Sequence, residues 1–344
     1  MWIIRPVVAT DVDALFDLAE KLGPGMTTFP ANRDTLAQKV DATVASFKGQ
    51  ASPEDAQYLM ALEETDSGTL LGVSAVYSRI GHPFGFFSYH VDRLVNHSAP
   101  IGFNLDCTVL NLSNAYTGLT EIGTLAVRPD LRQGGAGRFL ARARYMLMAS
   151  FPHLFAERVI AEMRGWQDAD GQSPFWSAVG EKFFHMDFAK ADVVSATKGA
   201  EFIANLMPKV PIYLDLLPAQ ARASIGKAHD TSAIAMAMLM EEGFRFENYV
   251  DVFDAGPQVV APLDRIKTIA ESHEAKVLAG SAGRFPSEQL IASSRLEDFR
   301  VIRETVGVKG DTISLSREGM KALMCEPGDV VRHVASSSSN TQSS

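Results

Sequence analysis

Cysteine is nearly absent from this chain. Cys107 and Cys325 are the two thiols in 344 residues, which excludes a disulfide framework and fits a reducing compartment. Long apolar runs are missing as well: none approaches the roughly 20 residues that a spanning helix needs. Asp11 and Asp13 stand where a signal peptide would require an apolar stretch, so a cytoplasmic protein without membrane attachment is expected. Positive charge is in deficit, with 32 Lys and Arg against 41 Asp and Glu and a formal net charge of −9. That balance speaks against nucleic acid, because phosphate backbones are gripped by clustered Lys and Arg. Metal-ligand spacing is lacking too. His82, His90 and His97 match no ligand pattern and no cysteine pairs with them, so no metal is expected. Neither Gly-x-Ser-x-Gly nor a Cys-His pairing offers a covalent nucleophile, and the two cysteines read as packed residues.

What is present is core. At 46% hydrophobic residues the chain can bury enough surface for two domains. Ile3 to Val8 reads as a strand, and Asp11 can cap a helix with Val12, Leu15, Leu18 and Ala19 on one face. A helix follows from about Arg33 to Phe47. Tyr58–Glu64 and Leu70–Tyr77 read as a hairpin turning at Asp66-Ser67-Gly68. The stretch from His82 to Leu112 is aromatic and irregular. Glu121–Val127 reads as a strand, Arg138–Phe151 as a helix, Val159–Met163 as a strand, Phe175–Phe183 as a helix and Phe184–Phe188 as a strand. This order predicts an α+β protein with a mixed sheet covered by helices. Further helices are expected around Ala200–Leu206, Ala219–Ile225 and Ser232–Glu242, the last with an ordinary core-packed Ala and Met run. A strand from Phe246 to Phe253 follows. Asp254-Ala255-Gly256-Pro257 reads as a boundary between residues 1–256 and 257–334. In the second part, short runs at Leu290–Ser293, Phe299–Glu304, Thr312–Leu315 and Val330–Val334 suggest a small β-barrel. Residues 335–344 are too polar to pack and are expected to be disordered.

The most informative segment is Arg132-Gln133-Gly134-Gly135-Ala136-Gly137, set between the strand ending at Val127 and the helix opening near Arg138. A helix N-terminus preceded by glycines offers unpaired N–H groups and the positive end of a dipole to a pyrophosphate. Gly134, Gly135 and Gly137 let the backbone approach phosphate oxygens, and Arg132 and Arg138 add positive charge. The strand end, including Leu125 and Val127, would run alongside a thioester arm. Leu140 stands where a dinucleotide fingerprint needs its third glycine, and no Gly-Lys-Ser/Thr follows for a P-loop.

Arg-x-x-Gly-x-Gly in this setting resembles the acyl-CoA-binding motif of the GNAT acyl-CoA N-acyltransferase superfamily. Beyond it, much of the chain resembles bacterial arginine N-succinyltransferases. The similarity runs through Ile4-Arg5-Pro6-Val7, Phe29-Pro30-Ala31-Asn32, Ala161-Glu162-Met163-Arg164-Gly165 and Ser173-Pro174-Phe175-Trp176. It continues in Leu206-Met207-Pro208-Lys209, Glu242-Gly243-Phe244-Arg245 and Asp251-Val252-Phe253-Asp254-Ala255-Gly256-Pro257. The resemblance implies a GNAT fold with a small C-terminal β-barrel, succinyl-CoA as co-substrate with no permanent cofactor, and L-arginine as acceptor. It also implies a dimer, either a homo-oligomer or a pairing with a related subunit. Catalytic His229 is implied by Ile225-Gly226-Lys227-Ala228-His229, and a succinyl-CoA-binding leucine by Leu125. Where family members carry Asn-Asp-His-Thr-Gly, this chain reads Asn114-Ala115-Tyr116-Thr117-Gly118, which bears on the choice of acceptor.

Acyl transfer to an α-amine needs a base, because the ammonium is mostly protonated near neutral pH. Histidine suits the task, and the same ring can protonate the departing thiolate. Glu121 is a second choice of base, acting through water. The backbone N–H of Leu125 is the candidate oxyanion donor. Arg164 could pair with the succinyl carboxylate or make a structural ion pair. Ornithine as acceptor, another acyl donor, or a non-catalytic CoA-binding partner subunit are the competing readings.

Overall fold

The structure, a computed structural model, describes residues 1–344 apart from 24, 25, 27, 132, 133, 192, 193, 195–204, 281–285 and 337–344. In chain order the first strands are β1 (Trp2–Pro6), β2 (Gln57–Glu64), β3 (Thr69–Tyr77), β4 (Ser88–Ser98), β5 (Phe103–Ser113), β6 (Thr120–Val127) and β7 (Arg158–Glu162). There follow β8 (Ile212–Tyr213), β9 (Arg245–Asp251), β10 (Pro257–Pro262), β11 (His273–Ala279), β12 (Pro286–Ser293), β13 (Val301–Lys309), β14 (Thr312–Leu315) and β15 (Val330–Ala335). The helices used below are α1 (Val12–Leu22), α2 (Arg33–Phe47), α3 (Ala136–Ser150), α4 (Pro174–Ala178), α5 (Gly180–Phe184) and α6 (Ala233–Glu241). The chain forms two compact units. One comprises Met1–Ser78, Ile122–Glu157 and the chain from Leu263; the other comprises Arg79–Glu121 and Arg158–Pro262.

In the first unit β1, β2 and β3 form an antiparallel run, with Ile4 opposite Leu62 and Leu59 opposite Ala75. Tyr58 to Leu62 is buried without a break, as a strand covered on both faces must be. Leu59, Ala61 and Val73 pack with Leu15 and Leu18 of α1 and with Leu36 and Val40 of α2. Helix α3 lies on β3, where Ser74 Oγ donates to Leu140 O at 3.4 Å. Asp11 does not cap α1 with its side chain. Its carboxylate instead accepts from Val8 N at 2.8 Å and from Arg5 at 2.7 and 3.0 Å, because the turn at Ala9–Asp11 precedes the helix and takes the acceptor first.

The same unit contains a closed five-stranded barrel, in which β12, β15, β11, β14 and β13 pair in turn and β13 returns to β12. β13 also pairs with β1 through Ile3↔Ile302. From α3, Arg142 Nη1 donates to the carbonyls of Ala335 and Ser336 at 2.8 and 2.7 Å, tying the last strand to that helix. β11 was not expected. His273-Glu274-Ala275-Lys276-Val277-Leu278-Ala279 is rich in helix formers, yet its neighbours β14 and β15 supply the ladder that propensity alone cannot foresee.

In the second unit the order is β6, β7, β10, β9, β4, β5, β8, with β6 contributing Thr120 and Glu121, which pair in parallel with Val159 and Ile160. One face carries Tyr89, Leu110, Val250 and Val252, packed with Phe175, Trp176 and Phe184 of α4 and α5. Four expectations need correction here. The segment His82–Leu112 is not irregular. It holds the hairpin β4–β5, paired from Ser88↔Ser113 to Ser98↔Phe103, whose alternation is faint because its far end exposes Val95 and Phe103. Phe184–Phe188 is not a strand, since α5 ends in a left-handed His185 with φ 51° and helical backbone resumes at Phe188. A short apolar run fits either state. The helix expected over Phe175–Phe183 is two helices interrupted at Val179. Finally, α6 is not core-packed: of its residues only Leu239 is buried, and Ile234 is 77% exposed. The helix expected at Ala200–Leu206 lies outside the described residues except for its last two.

The mixed sheets bearing helices and the five-stranded barrel near the C-terminus make the α+β architecture expected above.

Candidate active site

In the first unit, α3 begins behind Gly135, whose φ of 77° and ψ of 1° place it in the left-handed region, where glycine alone is at ease. Gly135, at the N-cap, has no side chain to cap this helix, and the N–H groups of a first turn find no partner within the helix itself. Gly134, Gly135 and Arg138 are exposed. Gly137 is glycine for no internal reason, since a Cβ there would meet only Val127 Cγ2 at 3.9 Å. The helix is drawn close to the sheet at Gly72, where a Cβ would fall 2.6 Å from Ala126 O and 2.8 Å from Leu140 Cδ1. Arg132 lies outside the described residues.

The strand beside this loop carries a feature the sequence did not signal. Thr124 has φ 49°, an outlier for a β-branched residue, of a kind that costs about 1–3 kcal/mol. Its Oγ1 lies 3.0 Å from Tyr77 Oη, a hydrogen bond that helps to hold the turn of backbone. Thr124 stands immediately before half-buried Leu125, and the alternation of burial along β6 ends just beyond it, where Ala126 and Val127 are buried in succession. The structure therefore groups Leu125, Val127, Gly134, Gly135, Gly137 and Arg138 in one unit, around one helix start.

His229 belongs to the other unit. Its backbone N–H donates to Arg164 O at 2.7 Å, and Trp166 N donates to Lys227 O at 2.9 Å, so residues 227–229 run as a short ladder beside 164–166. That ladder is fastened from behind by Asp254, which accepts from Gly165 N at 2.8 Å and from Gly256 N at 2.9 Å. Gly165 and Gly256 permit this contact: a Cβ on Gly256 would collide with Met163 O and stand 2.6 Å from Gly165 N. Gly256→Ala is expected to cost about 1–3 kcal/mol by overpacking against backbone that cannot yield. A lower urea midpoint with an unchanged m-value is the result to look for.

The ring of His229 is half-buried. Thr231 N donates to Nδ1 at 3.2 Å, and Thr231 Oγ1 lies 2.8 Å from the same atom. Both contacts engage Nδ1, which leaves Nε2 to exchange a proton with a ligand. In the tautomer that serves a base, Nδ1–H donates to the Thr231 hydroxyl in place of accepting from Thr231 N, and Nε2 then carries the free lone pair.

The remaining candidates find definite places. The Arg164 guanidinium lies over Phe188, 5.5 Å from the ring centre. With the Gln167 amide oriented oxygen-inward, Nε and Nη2 donate to it at 2.9 and 3.1 Å. Glu121 lies close enough to Glu162 to act on it electrostatically. Tyr116, in the segment that departs from the family pattern, is 1% exposed and stacks on Tyr249 with ring centres 4.3 Å apart. His90 pairs with Asp92 at 2.8 Å, and His97 with Asn104 at 2.6 Å. Cys107 is buried, and burial pushes the Cys325 thiol up to about 11, which leaves it protonated and a poor nucleophile near neutral pH. Among the described residues no helix is long and apolar enough to cross a membrane.

A family model described as the arginine N-succinyltransferase beta subunit matches residues 2–268, and one described as its C-terminal domain matches residues 273–335. An arginine N-succinyltransferase of Escherichia coli (strain 55989 / EAEC) is 39% identical over 336 residues, 97% of each chain. One from Enterobacter sp. (strain 638) is 39% identical over the same coverage. The solved structure of arginine/ornithine succinyltransferase subunit AI from Pseudomonas aeruginosa superimposes with a TM-score of 0.89 at 33% identity, covering 98% of this chain and 99% of that one. The chain belongs to the arginine N-succinyltransferase beta subunit family.

Proposed function

We propose that this chain transfers a succinyl group from succinyl-CoA to the α-amino nitrogen of L-arginine by direct attack. The observation that carries the reading is the glycine-led start of α3 at left-handed Gly135, in a chain aligned with arginine N-succinyltransferases over 97% of its length. The amides that follow Gly135 grip the pyrophosphate, Gly134 and Gly137 allow its approach, and Arg132 and Arg138 supply charge. Leu125 and Val127 offer backbone groups to the thioester arm, and the Leu125 N–H holds the oxyanion.

His229 Nε2 takes a proton from the attacking nitrogen. The C–N bond forms, the tetrahedral intermediate collapses, and the C–S bond breaks. The imidazolium returns its proton to the thiolate, so that CoA leaves as a thiol. Positioning of the two substrates contributes alongside proton transfer. The residues named here act within an intracellular enzyme that works as a homo-oligomer or beside a related subunit.

Thiol release from succinyl-CoA, followed with purified chain and a panel of amino acids, tests this function. Release with arginine, at a higher kcat/KM than with ornithine, is the expected result. If nothing is released until a related subunit is added, this chain is the partner subunit; if no amino acid ever elicits release, the proposed reaction is wrong.

A further inference from the structure

The face of the second unit opposite the Trp176 cluster is strongly polar for a sheet interior. Glu162 of β7 is the cross-strand partner of Gln258 in β10, and Asp251 of β9 is the partner of Ser88 in β4. Asp254 and Glu121 lie close enough to act on Glu162 electrostatically. Asp251 and Asp254 are partly committed, each accepting from backbone N–H groups of the 251–256 turn or its neighbour Gly165. Glu162 is committed less: its Oε1 accepts from Gln258 Nε2 at 2.6 Å, and the residue is half-buried.

A second observation shows what this face lacks. Gln258 is 0% exposed, yet among the described residues its Oε1 has no hydrogen-bond partner, and Ser88 Oγ, 2% exposed, has none either. A buried carboxamide oxygen left unpaired costs about 1–3 kcal/mol, and beside carboxylates the missing group is a donor. Tyr249, two residues before Asp251 and so on the same face, is packed against Tyr116 and His90 and closes this face on one side.

We infer that this face is the subsite for the cationic side chain of the acceptor amino acid, a guanidinium that donates to the Glu162 carboxylate and to the Gln258 carboxamide oxygen. The inference rests on the arginine acceptor proposed above. A guanidinium presents five N–H donors in a planar fork and no acceptor. It would satisfy the orphaned oxygen and neutralise Glu162 in one placement. Arg164 favours the charged form of Asp254, whereas Glu121 and Asp254 oppose charge on Glu162. Burial, then Glu121 and Asp254, push Glu162 up to about 8.

The test is calorimetric titration of CoA-saturated protein with L-arginine and with L-citrulline, its neutral isostere, for the parent, Glu162→Gln and Gln258→Leu. The parent should bind arginine at least about 30-fold more tightly than citrulline, and either variant should lose most of that preference, since unpairing a buried charge contact weakens binding by that order. Binding of CoA itself should not change. Glu162→Gln should also fold normally. A carboxyl raised from the usual glutamate range to about 8 costs stability as pH rises through that interval, so its amide should melt no lower than the parent at pH 8.5. Retention of the arginine preference in both folded variants would overturn the inference. Because binding is read without turnover, that failure is distinct from a parent that binds arginine selectively but releases no thiol.

Discussion

His229→Ala is expected to lower kcat by about 10²–10⁴-fold, the usual contribution of a positioned general acid–base group, while the dissociation constant for CoA stays at the parental value. The expectation follows from how the residue is held. Its backbone is fixed through Arg164 O and its Nδ1 through Thr231, so alanine removes an imidazole and little else. The structural cost is the loss of an acceptor at the start of the short helix Asp230–Ser232, about 1 kcal/mol. His229→Gln supplies the control, because an amide oxygen can still accept from Thr231 N without moving protons near neutral pH. Both variants should lose the limb of the kcat/KM profile that reports the base, and both should retain residual transfer from substrate positioning and the oxyanion contact. Parental kcat in either variant would remove His229 from the chemistry. In that event Glu121 becomes the base to examine.

The legible parts of this sequence were those in which local pattern and tertiary need coincide. β2 and β3 could be read because their apolar runs flank a turn-forming Asp66-Ser67-Gly68, and the structure pairs them across it. The start of α3 could be read because glycines serve no purpose in a helix unless something must come close. The hairpin β4–β5 escaped notice because so much of it faces outward that the period of two is lost in polar residues on both sides. α6 misled in the opposite direction. An apolar helix suggests burial, but exposure is decided by what packs on it, and composition cannot tell which faces find a neighbour.

The same division holds for the site. His229 and Leu125 came from resemblance; neither is marked by local chemistry, since an Ile-Gly-x-x-His turn and a strand leucine occur widely. Thr124 could not have been foreseen, because nothing in Gly123-Thr124-Leu125 declares a left-handed threonine. The Glu162 and Gln258 pair joins residues 96 apart in sequence. Only the register of β7 with β10 brings them together, and a period-two pattern in either strand shows one polar residue in an apolar run without saying what it meets. Asp254 stood in a segment read as a boundary. Its part in fastening the His229 ladder depends on Gly165 and Gly256 meeting, which is again a matter of register.

Gly137→Val is expected to raise the dissociation constant for CoA by at least about 100-fold with little effect on folding. Among the glycines of the loop this position separates the two effects best. Gly135 is left-handed, so a side chain there would strain the backbone as well as obstruct the ligand. Gly72 holds β3 against backbone of β6, and its replacement would disturb the sheet. At Gly137 an added Cβ meets only Val127 Cγ2 at ordinary contact distance, and valine is no worse than glycine in a helix. The valine methyls instead occupy the space from which phosphate oxygens reach the amides. Losing two hydrogen bonds to a charged group, at about 1.5–3 kcal/mol each, gives the stated affinity change. A thermal melt at or above that of the parent, combined with loss of CoA binding by calorimetry, is the expected pair of results. If Gly137→Val binds CoA as the parent does, the start of α3 is not the pyrophosphate site, and the role assigned to the glycine loop fails with it.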